Sequence, residues 1–357
     1  MSHDASDLFL TLTPERVLDA VEASGVEANP VCYPLNSFEN RVYEVELADR
    51  SRVVAKFYRP GRWSAAQILE EHDFLFELET EEIPVCAPRR FPDGLTLHSL
   101  GHIHYCLFDR RGGRAPDELT DANVERLGRL VARVHNVGAR RPAEHRMRLD
   151  ADFYVRRDLD WLEAEKSIPA PFAPRYLALA REIADVYERA SAGVGVQRLH
   201  GDLHLGNLLF RDGLLRLLDF DDMMVGPPVQ DLWLALPGRD AYTLRQRDLF
   251  LAAYEELRLF DHSTLRLIEP LRGLRLIHYA AWIARRWHDP IFPATWTHFG
   301  TSEYWERETD DLAEQLAVIH GAVAVAEPGG REGTSNGKGE EPELTNKDYF
   351  WDWEEGK

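Results

Sequence analysis

The sequence contains few cysteines, no long apolar segment and no excess of positive charge. Only three of its 357 residues are cysteine (Cys32, Cys86 and Cys106), and because their spacing matches no zinc motif they are interpreted as reduced core thiols. No apolar run approaches the ~20 residues that a membrane helix needs, and the N-terminus lacks the basic and apolar regions of a signal peptide. The formal net charge of −19 disfavours nucleic-acid binding as a main role. We therefore expect a cytoplasmic protein without a nucleic-acid or membrane partner.

Three patterns of catalytic or phosphate-binding residues are also missing. There is no Gly-x-Ser-x-Gly turn, which a nucleophilic hydrolase of the common type needs. His200 and His204 lie four residues apart but among glycines, with no third ligand at a spacing that suits zinc. No glycine-rich Gly-x-Gly-x-x-Gly loop precedes the first lysine-bearing strand, and the near match at 193–198 lacks the third glycine. The first two absences disfavour a hydrolase and a zinc enzyme. Because the glycine-rich phosphate loop is also absent, phosphoryl transfer has to be judged on other residues.

The first hundred residues predict a small antiparallel sheet interrupted by one helix. Residues 40–47 and 52–58 alternate apolar and polar side chains, and only a short polar connection separates them. Ser64 followed by Gln67 forms a capping box, which predicts a helix beginning there. Beyond Asp109 the pattern becomes helical, in the stretches 120–138, 174–190, 240–258, 263–288 and 303–325.

The predicted fold is therefore α+β and bilobal. We expect a small antiparallel-sheet N-lobe with one helix (1–108), a hinge (109–117) and a larger, mostly helical C-lobe (118–326). Residues 327–357 are rich in Gly, Glu, Ser and Asn, and we expect a disordered acidic tail. Its last nine residues, YFWDWEEGK, are aromatic and acidic, and are either a docking segment or an untethered end.

Three polar residues flank a short apolar hairpin, in an order that is typical of protein kinases. The turn of the hairpin is predicted at Asp212-Gly213. The three residues are Asp202, Asn207 five residues later, and Asp219, which is followed by phenylalanine. This order repeats the protein-kinase pattern His-x-Asp-x-x-x-x-Asn followed by Asp-Phe. Carboxylate and amide oxygens are ligands that Mg²⁺ prefers. Together these residues predict a site for phosphoryl transfer.

The N-terminal sheet supplies candidates for nucleotide binding. Lys56 lies in VVAKFY, on a predicted strand, where a kinase needs a lysine to pair with phosphates. The following helix offers Glu70 and Glu71 as partners of that lysine, and Glu71 is preferred because it shares the inward, apolar face. Between the first two strands, LNSFENRVY contains Ser37, whose hydroxyl and neighbouring N–H groups can meet phosphate without glycine. A solvated lysine and a plain hairpin turn are the alternatives.

Taken together, these segments resemble the bacterial stress response kinases, a Ser/Thr kinase group in the aminoglycoside/choline phosphotransferase branch of the protein-kinase-like fold. The resemblance extends from about residue 9 to 325 and is carried by PLNSFENRVYEV, VAKFYRPGRWSAAQILEEHDF, RLHGDLHLGNLLFRDG and DFDDMMVGPPVQDLW. It implies ATP and Mg²⁺ as cofactors and a protein Ser/Thr hydroxyl as the acceptor. We also expect a monomer.

The resemblance implies a role for each residue that matches its motifs. Asp202 corresponds to the catalytic base, Asn207 and Asp219 to the magnesium ligands, and Asp219 also bridges to the phosphates. Asp231 corresponds to a buried aspartate that braces the catalytic loop through backbone N–H groups. Asp221, where ordinary protein kinases have glycine, and Asp222 receive no role.

On the nucleotide side, Ser37 corresponds to the phosphate-loop contact, Lys56 to the nucleotide lysine and Glu71 to its partner. The adenine is expected at the backbone of 107–109. A Ser/Thr protein kinase is the preferred function, and a small-molecule alcohol kinase acting on an aminoglycoside, choline, homoserine or a sugar is the alternative. Net charge does not separate the two. A non-enzymatic pseudokinase scaffold is disfavoured because the base and metal residues are all present.

Overall fold

The computed structural model describes residues 9, 11–35, 37–116 and 118–321. Its N-terminal part is built on a five-stranded antiparallel sheet with the strand order β1-β2-β3-β5-β4. The strands are β1 Ala28–Leu35, β2 Arg41–Leu47, β3 Arg52–Phe57, β4 His98–Leu100 and β5 Ile103–Asp109. Lys56 lies on the central strand β3, opposite Val42 of β2 and Cys106 of β5. The predicted antiparallel pair is thus β2 and β3.

Two helices accompany this sheet, one more than the sequence analysis expected. Helix α2 (Ala65–Thr80) begins at the predicted capping box, in which Ser64 and Gln67 each bond the other's backbone. Helix α1 (Pro14–Glu22) was missed, although its start carries a recognisable signal. Thr13 caps its first turn and Pro14 occupies the first helical position, where a proline loses no hydrogen bond.

The rest of the described chain is mostly helical. Its α-helices are α3 Asp121–Gly138, α4 Arg157–Ala164, α5 Ala173–Ser191, α6 Val229–Ala235, α7 Ala241–Glu255, α8 Ile268–Arg285, α9 Ile291–Thr295 and α10 Ser302–Ile319. The stretch expected at 263–288 divides into a 3₁₀ segment, His262–Leu267, and α8. This arrangement confirms the α+β, bilobal prediction, with a helical core centred on buried aromatic residues such as Trp233 and Trp305.

Two short ribbons lie in the helical lobe. The predicted hairpin is formed by β7 (Leu208–Arg211) and β8 (Leu214–Leu217), and Asp212 and Gly213 both take the positive φ angles of its tight turn. The strand β6 (Gln197–Leu199) pairs with β9 (Met224–Gly226). Since β6 leads into residues 200–207 and β9 follows 219–222, this pairing brings the two polar segments together.

Part of the predicted organisation is not tested. The boundaries at 108, 117 and 326 stay predictions, and Asp117 and the predicted tail at 327–357 lie outside the described residues. Within the described ranges, no helix combines the length and the apolar character that crossing a membrane requires.

Candidate phosphotransferase site

Lys56 is buried and lies at the centre of a group of charges between the sheet and the helical lobe. Its Nζ atom is 2.9 Å from Asp219 Oδ1, 3.1 Å from Asp221 Oδ1 and 3.9 Å from Glu71 Oε1. Burial alone would lower the pKa of Lys56, but these carboxylates raise it well above its ordinary value. The side chain is therefore a charged ammonium, held in place by residues from both lobes.

The two adjacent glutamates of α2 have different partners. Glu71 contacts Lys56 and also accepts a hydrogen bond of 2.8 Å from Arg146 Nη2. Glu70 instead accepts the backbone N–H groups of residues 144, 145 and 146. Glu71 is thus the glutamate beside Lys56, although the two aspartates lie closer to the ammonium than Glu71 does.

Asp231 fixes the backbone of the loop that carries Asp202. From α6 it accepts the N–H of His200 at 3.0 Å and the N–H of Gly201 at 2.9 Å. Gly201 has a φ of +88°, and a Cβ there would lie 2.2 Å from the carbonyl oxygen of Asp222. A residue with a side chain would push the two polar segments apart. The bracing role that the resemblance implied for Asp231 therefore matches its hydrogen bonds.

Asp202 is held between an arginine and a histidine that the sequence analysis did not connect with it. Arg275 Nη1 of α8 lies 2.8 Å from its Oδ1, and His204 Nε2 lies 3.5 Å from its Oδ2. Burial alone would raise the pKa of Asp202, but Arg275 and His204 hold it well below its ordinary value. Asp202 is therefore an ionised carboxylate that faces an arginine.

Asn207 and Asp219 are brought together by the hairpin that separates them in sequence. The N–H of Leu218 donates to the carbonyl of Asn207 at 2.9 Å. The Asn207 side-chain Nδ2 donates to the Asp202 carbonyl at 2.8 Å, which leaves its Oδ1 as an acceptor. Asp219 takes a left-handed conformation with φ of 52°, and its side chain is 52% exposed. One amide oxygen and one accessible carboxylate therefore lie at the same edge of the hairpin.

Ser37 lies on the β1–β2 connection, as expected, and this connection is anchored to the helical lobe. Its Oγ accepts the N–H of Asn40 at 3.3 Å, and its neighbour Asn36 lies outside the described residues. Phe38 packs edge-on against Trp296, with ring centroids 5.1 Å apart. Glu39 accepts the indole N–H of Trp282 at 2.6 Å. The sequence-predicted turn is thus part of an interlobe contact, and contact of Ser37 with phosphate stays a prediction.

Asp221 and Asp222, which had no predicted role, form the other side of the charged group. Asp221 is 2% exposed, contacts Lys56 and Arg62, and accepts a hydrogen bond of 3.2 Å from Asn40 Nδ2. Asp222 pairs with Arg62 at 2.5 Å. No spacing rule connects Arg62 with residues about 160 positions later. The sequence feature that could have pointed to a role for Asp221 and Asp222 is the acidic run DFDD itself.

The ionisation of Glu39 tests the contact between the β1–β2 connection and the helical lobe, which we call the interlobe anchor. Burial alone would raise the pKa of Glu39, but Arg62, Arg286 and Arg59 lower it from 4.5 to about 2. A pKa below its unfolded value adds stability above pH 4.5, and this stability is lost as the pH falls toward 2. We expect Glu39→Gln to lower the free energy of unfolding at pH 7 by about 2–3 kcal/mol. Urea unfolding at a series of pH values measures this difference, which should shrink below pH 4.5.

The matched control is Glu165→Gln, which removes an exposed carboxyl without disturbing the anchor. This variant should unfold like the wild type at every pH. If the loss of unfolding free energy in Glu39→Gln stayed constant between pH 7 and pH 3, the carboxylate charge would not be what stabilises the anchor.

Comparison with known proteins shows which family the chain resembles. A family model described as "Phosphotransferase enzyme family" matches residues 32–268. Stress response kinase A of Salmonella paratyphi A is 40% identical over 319 residues, covering 89% of this chain and 97% of the relative. The serine/threonine protein kinase RdoA of Salmonella typhimurium has the same identity and coverage. Stress response kinase A of Escherichia coli K12 is 40% identical over 312 residues, covering 87% and 94%.

Solved structures show the same fold at lower identity. An amicoumacin kinase, hAmiN, in complex with AMP-PNP, Ca²⁺ and Ami, superposes with a TM-score of 0.69 at 19% identity, covering 90% of this chain and 97% of that one. A microcompartment-associated aminopropanol kinase gives a TM-score of 0.61 at 22% identity, covering 85% and 95%. The resemblance found in the sequence is confirmed, and the chain belongs to the phosphotransferase enzyme family.

Proposed function

We propose that the chain is a Ser/Thr protein kinase of the bacterial stress response, which transfers the γ-phosphoryl group of Mg-ATP to a protein hydroxyl in the cytoplasm. The observation that carries this proposal is the 40% identity, over 89% of the chain, to relatives named stress response kinase A and serine/threonine protein kinase. The charged group around Lys56 and the loop around Asp202 supply the chemistry.

On the nucleotide side, Lys56 is the residue that pairs with phosphate oxygens. Its ammonium already contacts Asp219 and Asp221, so it is charged and fixed before a nucleotide arrives. Ser37 and the N–H groups of its turn provide neutral donors from the β1–β2 connection. Glu71, held by Arg146, keeps Lys56 directed across the cleft.

The donor set at the hairpin edge fits a divalent cation. Asn207 donates its amide N–H to the Asp202 carbonyl, which leaves the amide oxygen available to a metal ion. Asp219 has a half-exposed carboxylate, and two hard oxygen ligands are a typical protein contribution to bound Mg²⁺. When bound, such an ion neutralises negative charge on the phosphate oxygens. Asn207 and Asp219 are the residues that would hold it.

Asp202 is the residue that orients the acceptor hydroxyl and takes its proton. Its lowered pKa makes it a weak base, which suits this reaction because phosphoryl transfer proceeds through a loose transition state. Bond formation to the nucleophile is little advanced there, so the hydroxyl keeps its proton until late. Orientation by a fixed carboxylate then matters more than early proton removal.

Arg275 bears on the class of acceptor. A guanidinium 2.8 Å from Asp202 occupies the position where an amine-bearing substrate would pair with this carboxylate. A second cation beside Arg275 is repelled by its charge, whereas the neutral hydroxyl of a serine or threonine is not. This supports a protein hydroxyl over an aminoglycoside or an amino alcohol as the acceptor.

The decisive experiment measures transfer of ³²P from ATP to two sets of acceptors. One set contains the protein itself and a generic protein substrate, and the other contains choline, an aminoglycoside, homoserine and neutral sugars. We expect label on protein and little on the cationic alcohols. Label on a small alcohol alone would replace the proposed function by the small-molecule alternative.

A variant of Arg275 tests the argument about acceptor charge. Arg275→Met removes the positive charge while keeping an apolar stem, so it should increase transfer to cationic alcohols relative to neutral sugars by about tenfold. Arg285→Met, on the same helix but paired with Asp158, is the matched control and should leave that ratio unchanged. An unchanged ratio in Arg275→Met would remove the argument from charge.

A further inference from the structure

A cavity lined by four arginines lies in the helical lobe beside β6. Its volume is about 410 Å³, within the range of ligand-binding pockets. The walls come from the end of α3, the start of β6 and the turn that follows α7. None of the residues assigned to phosphoryl transfer lines it.

The arginines of this cavity are of two kinds. Arg141 and Arg198 both pair with Glu77, whose single carboxylate they share. Arg258 donates only to neutral oxygens, Asn136 Oδ1 at 3.0 Å and Gln197 Oε1 at 2.7 Å. Over the described ranges of the chain, no carboxylate forms an ion pair with Arg258 or with the exposed Arg148. Two arginines at the cavity therefore have no ion-pair partner among the described residues, although one carboxylate, that of Asp261, also lines the cavity.

Gln197 provides a second observation at the cavity. Its residue is 8% exposed, and its Nε2 atom is buried without a hydrogen-bond partner among the residues that the structure describes. The same amide uses its oxygen to accept from Arg258. A buried donor without an acceptor costs about 1–3 kcal/mol, so such groups are normally satisfied. An oxyanion bound beside Arg258 supplies that acceptor once the Gln197 side chain turns toward the cavity.

The edge of the cavity is apolar. Leu259 is 88% exposed, the highest value among the exposed large hydrophobic residues of the described chain, and Val196 is 42% exposed. Both line the cavity together with Phe260. A ligand that complements this surface carries a carboxylate or phosphate next to an aromatic or aliphatic group.

We propose that this cavity binds the C-terminal segment of the same chain, residues 349–357. This segment, YFWDWEEGK, combines four aromatic rings with the acids Asp352, Glu354 and Glu355 and with one lysine, Lys357. Its carboxylates match the two unpaired arginines, and its rings match the exposed Leu259 and Val196. The inference does not depend on which acceptor the kinase uses.

The path from the last described residue to the cavity is short. His320, at the end of α10, contacts Glu182 of α5 at 3.1 Å. Helix α5 then continues for nine residues to Ser191, about 14 Å along its axis, and ends just before the cavity residues Gly195–Gln197. From Gly321 the sequence provides 27 residues before Tyr349, which span up to about 90 Å when extended. The connecting residues are therefore long enough for the segment to reach the cavity of its own chain.

Hydrogen–deuterium exchange of the full chain tests the proposal. In the wild type, amides of 349–357 should exchange about tenfold more slowly than in the Arg148→Glu, Arg258→Glu double variant. The same loss is expected when Asp352, Glu354 and Glu355 are changed to lysine. Combining both sets of changes restores opposite charges, and should restore at least part of the protection.

Arg175→Glu, Arg245→Glu is the matched control, because it reverses two exposed arginines of the same lobe outside the cavity. It should leave exchange of 349–357 unchanged, and thermal unfolding checks that every variant is folded. Equal exchange of 349–357 in the wild type and the cavity variant overturns the proposal. So does added phenyl phosphate that protects 195–198 without accelerating exchange of the segment, because the cavity would then serve a separate anion.

Discussion

Asp202→Ala is expected to lower kcat by about 10²–10⁴-fold, the contribution of a positioned acid or base, while the affinity for Mg-ATP changes by less than about threefold. The reason is the separation of its contacts from those of the nucleotide side. Asp202 pairs with Arg275 and His204, whereas Lys56 pairs with Asp219, Asp221 and Glu71. Steady-state phosphate transfer and equilibrium nucleotide binding measure the two quantities separately.

Two variants sharpen this test. Asp202→Asn keeps the shape of the side chain and removes its charge, so a loss as large as that of Asp202→Ala identifies the carboxylate itself as the active group. Asp219→Ala should instead weaken Mg-ATP binding, because it removes a proposed metal ligand and the nearest partner of Lys56. Normal turnover by folded Asp202→Ala would show that the proton acceptor has been assigned to the wrong residue.

The parts of this site that could be predicted from the sequence are those encoded by local patterns. The order of Asp202, Asn207 and Asp219 was readable because the hairpin between them has a recognisable turn at Asp212-Gly213, and both strands are apolar. The start of α2 was readable because a capping box involves residues only three positions apart. Such signals depend on a few neighbouring residues and need no knowledge of tertiary packing.

The arginine partners could not be predicted in the same way. Arg62 reaches Asp221 across 159 positions, Arg146 reaches Glu71 across 75, and Arg275 contacts Asp202 from a helix 73 positions later. The first two contacts depend on how the two lobes pack and the third on packing within the helical lobe, and a long, flexible side chain imposes no spacing on the sequence. Arginines are also frequent in this chain, so their positions alone carry little information.

Asp221 is an acidic residue of the site whose role was also not predicted from the sequence. Asp221→Asn is expected to lower the free energy of unfolding by about 3–5 kcal/mol. Its side chain is 3% exposed and contacts two cations, the buried Lys56 and the partly buried Arg62. Burial alone would raise the pKa of Asp221, but Lys56, Arg62 and Arg146 lower it, so the charged form is the one that stabilises the fold. Replacing it by a neutral amide leaves Arg62 with less compensation in a low-dielectric site. Chemical denaturation at pH 7 measures the loss.

Asp222→Asn is the matched control, because Asp222 is a neighbouring aspartate that pairs with the same Arg62 but is 31% exposed. It should cost about 1 kcal/mol or less. The double variant Arg62→Gln, Asp221→Asn separates charge compensation from shape. If Asp221 acts by neutralising Arg62, the double variant loses less stability than the sum of the two single variants. A strictly additive loss would assign the role of Asp221 to Lys56 and Asn40 alone, and the link between the sheet and the segment after Asp219 would then not involve Arg62.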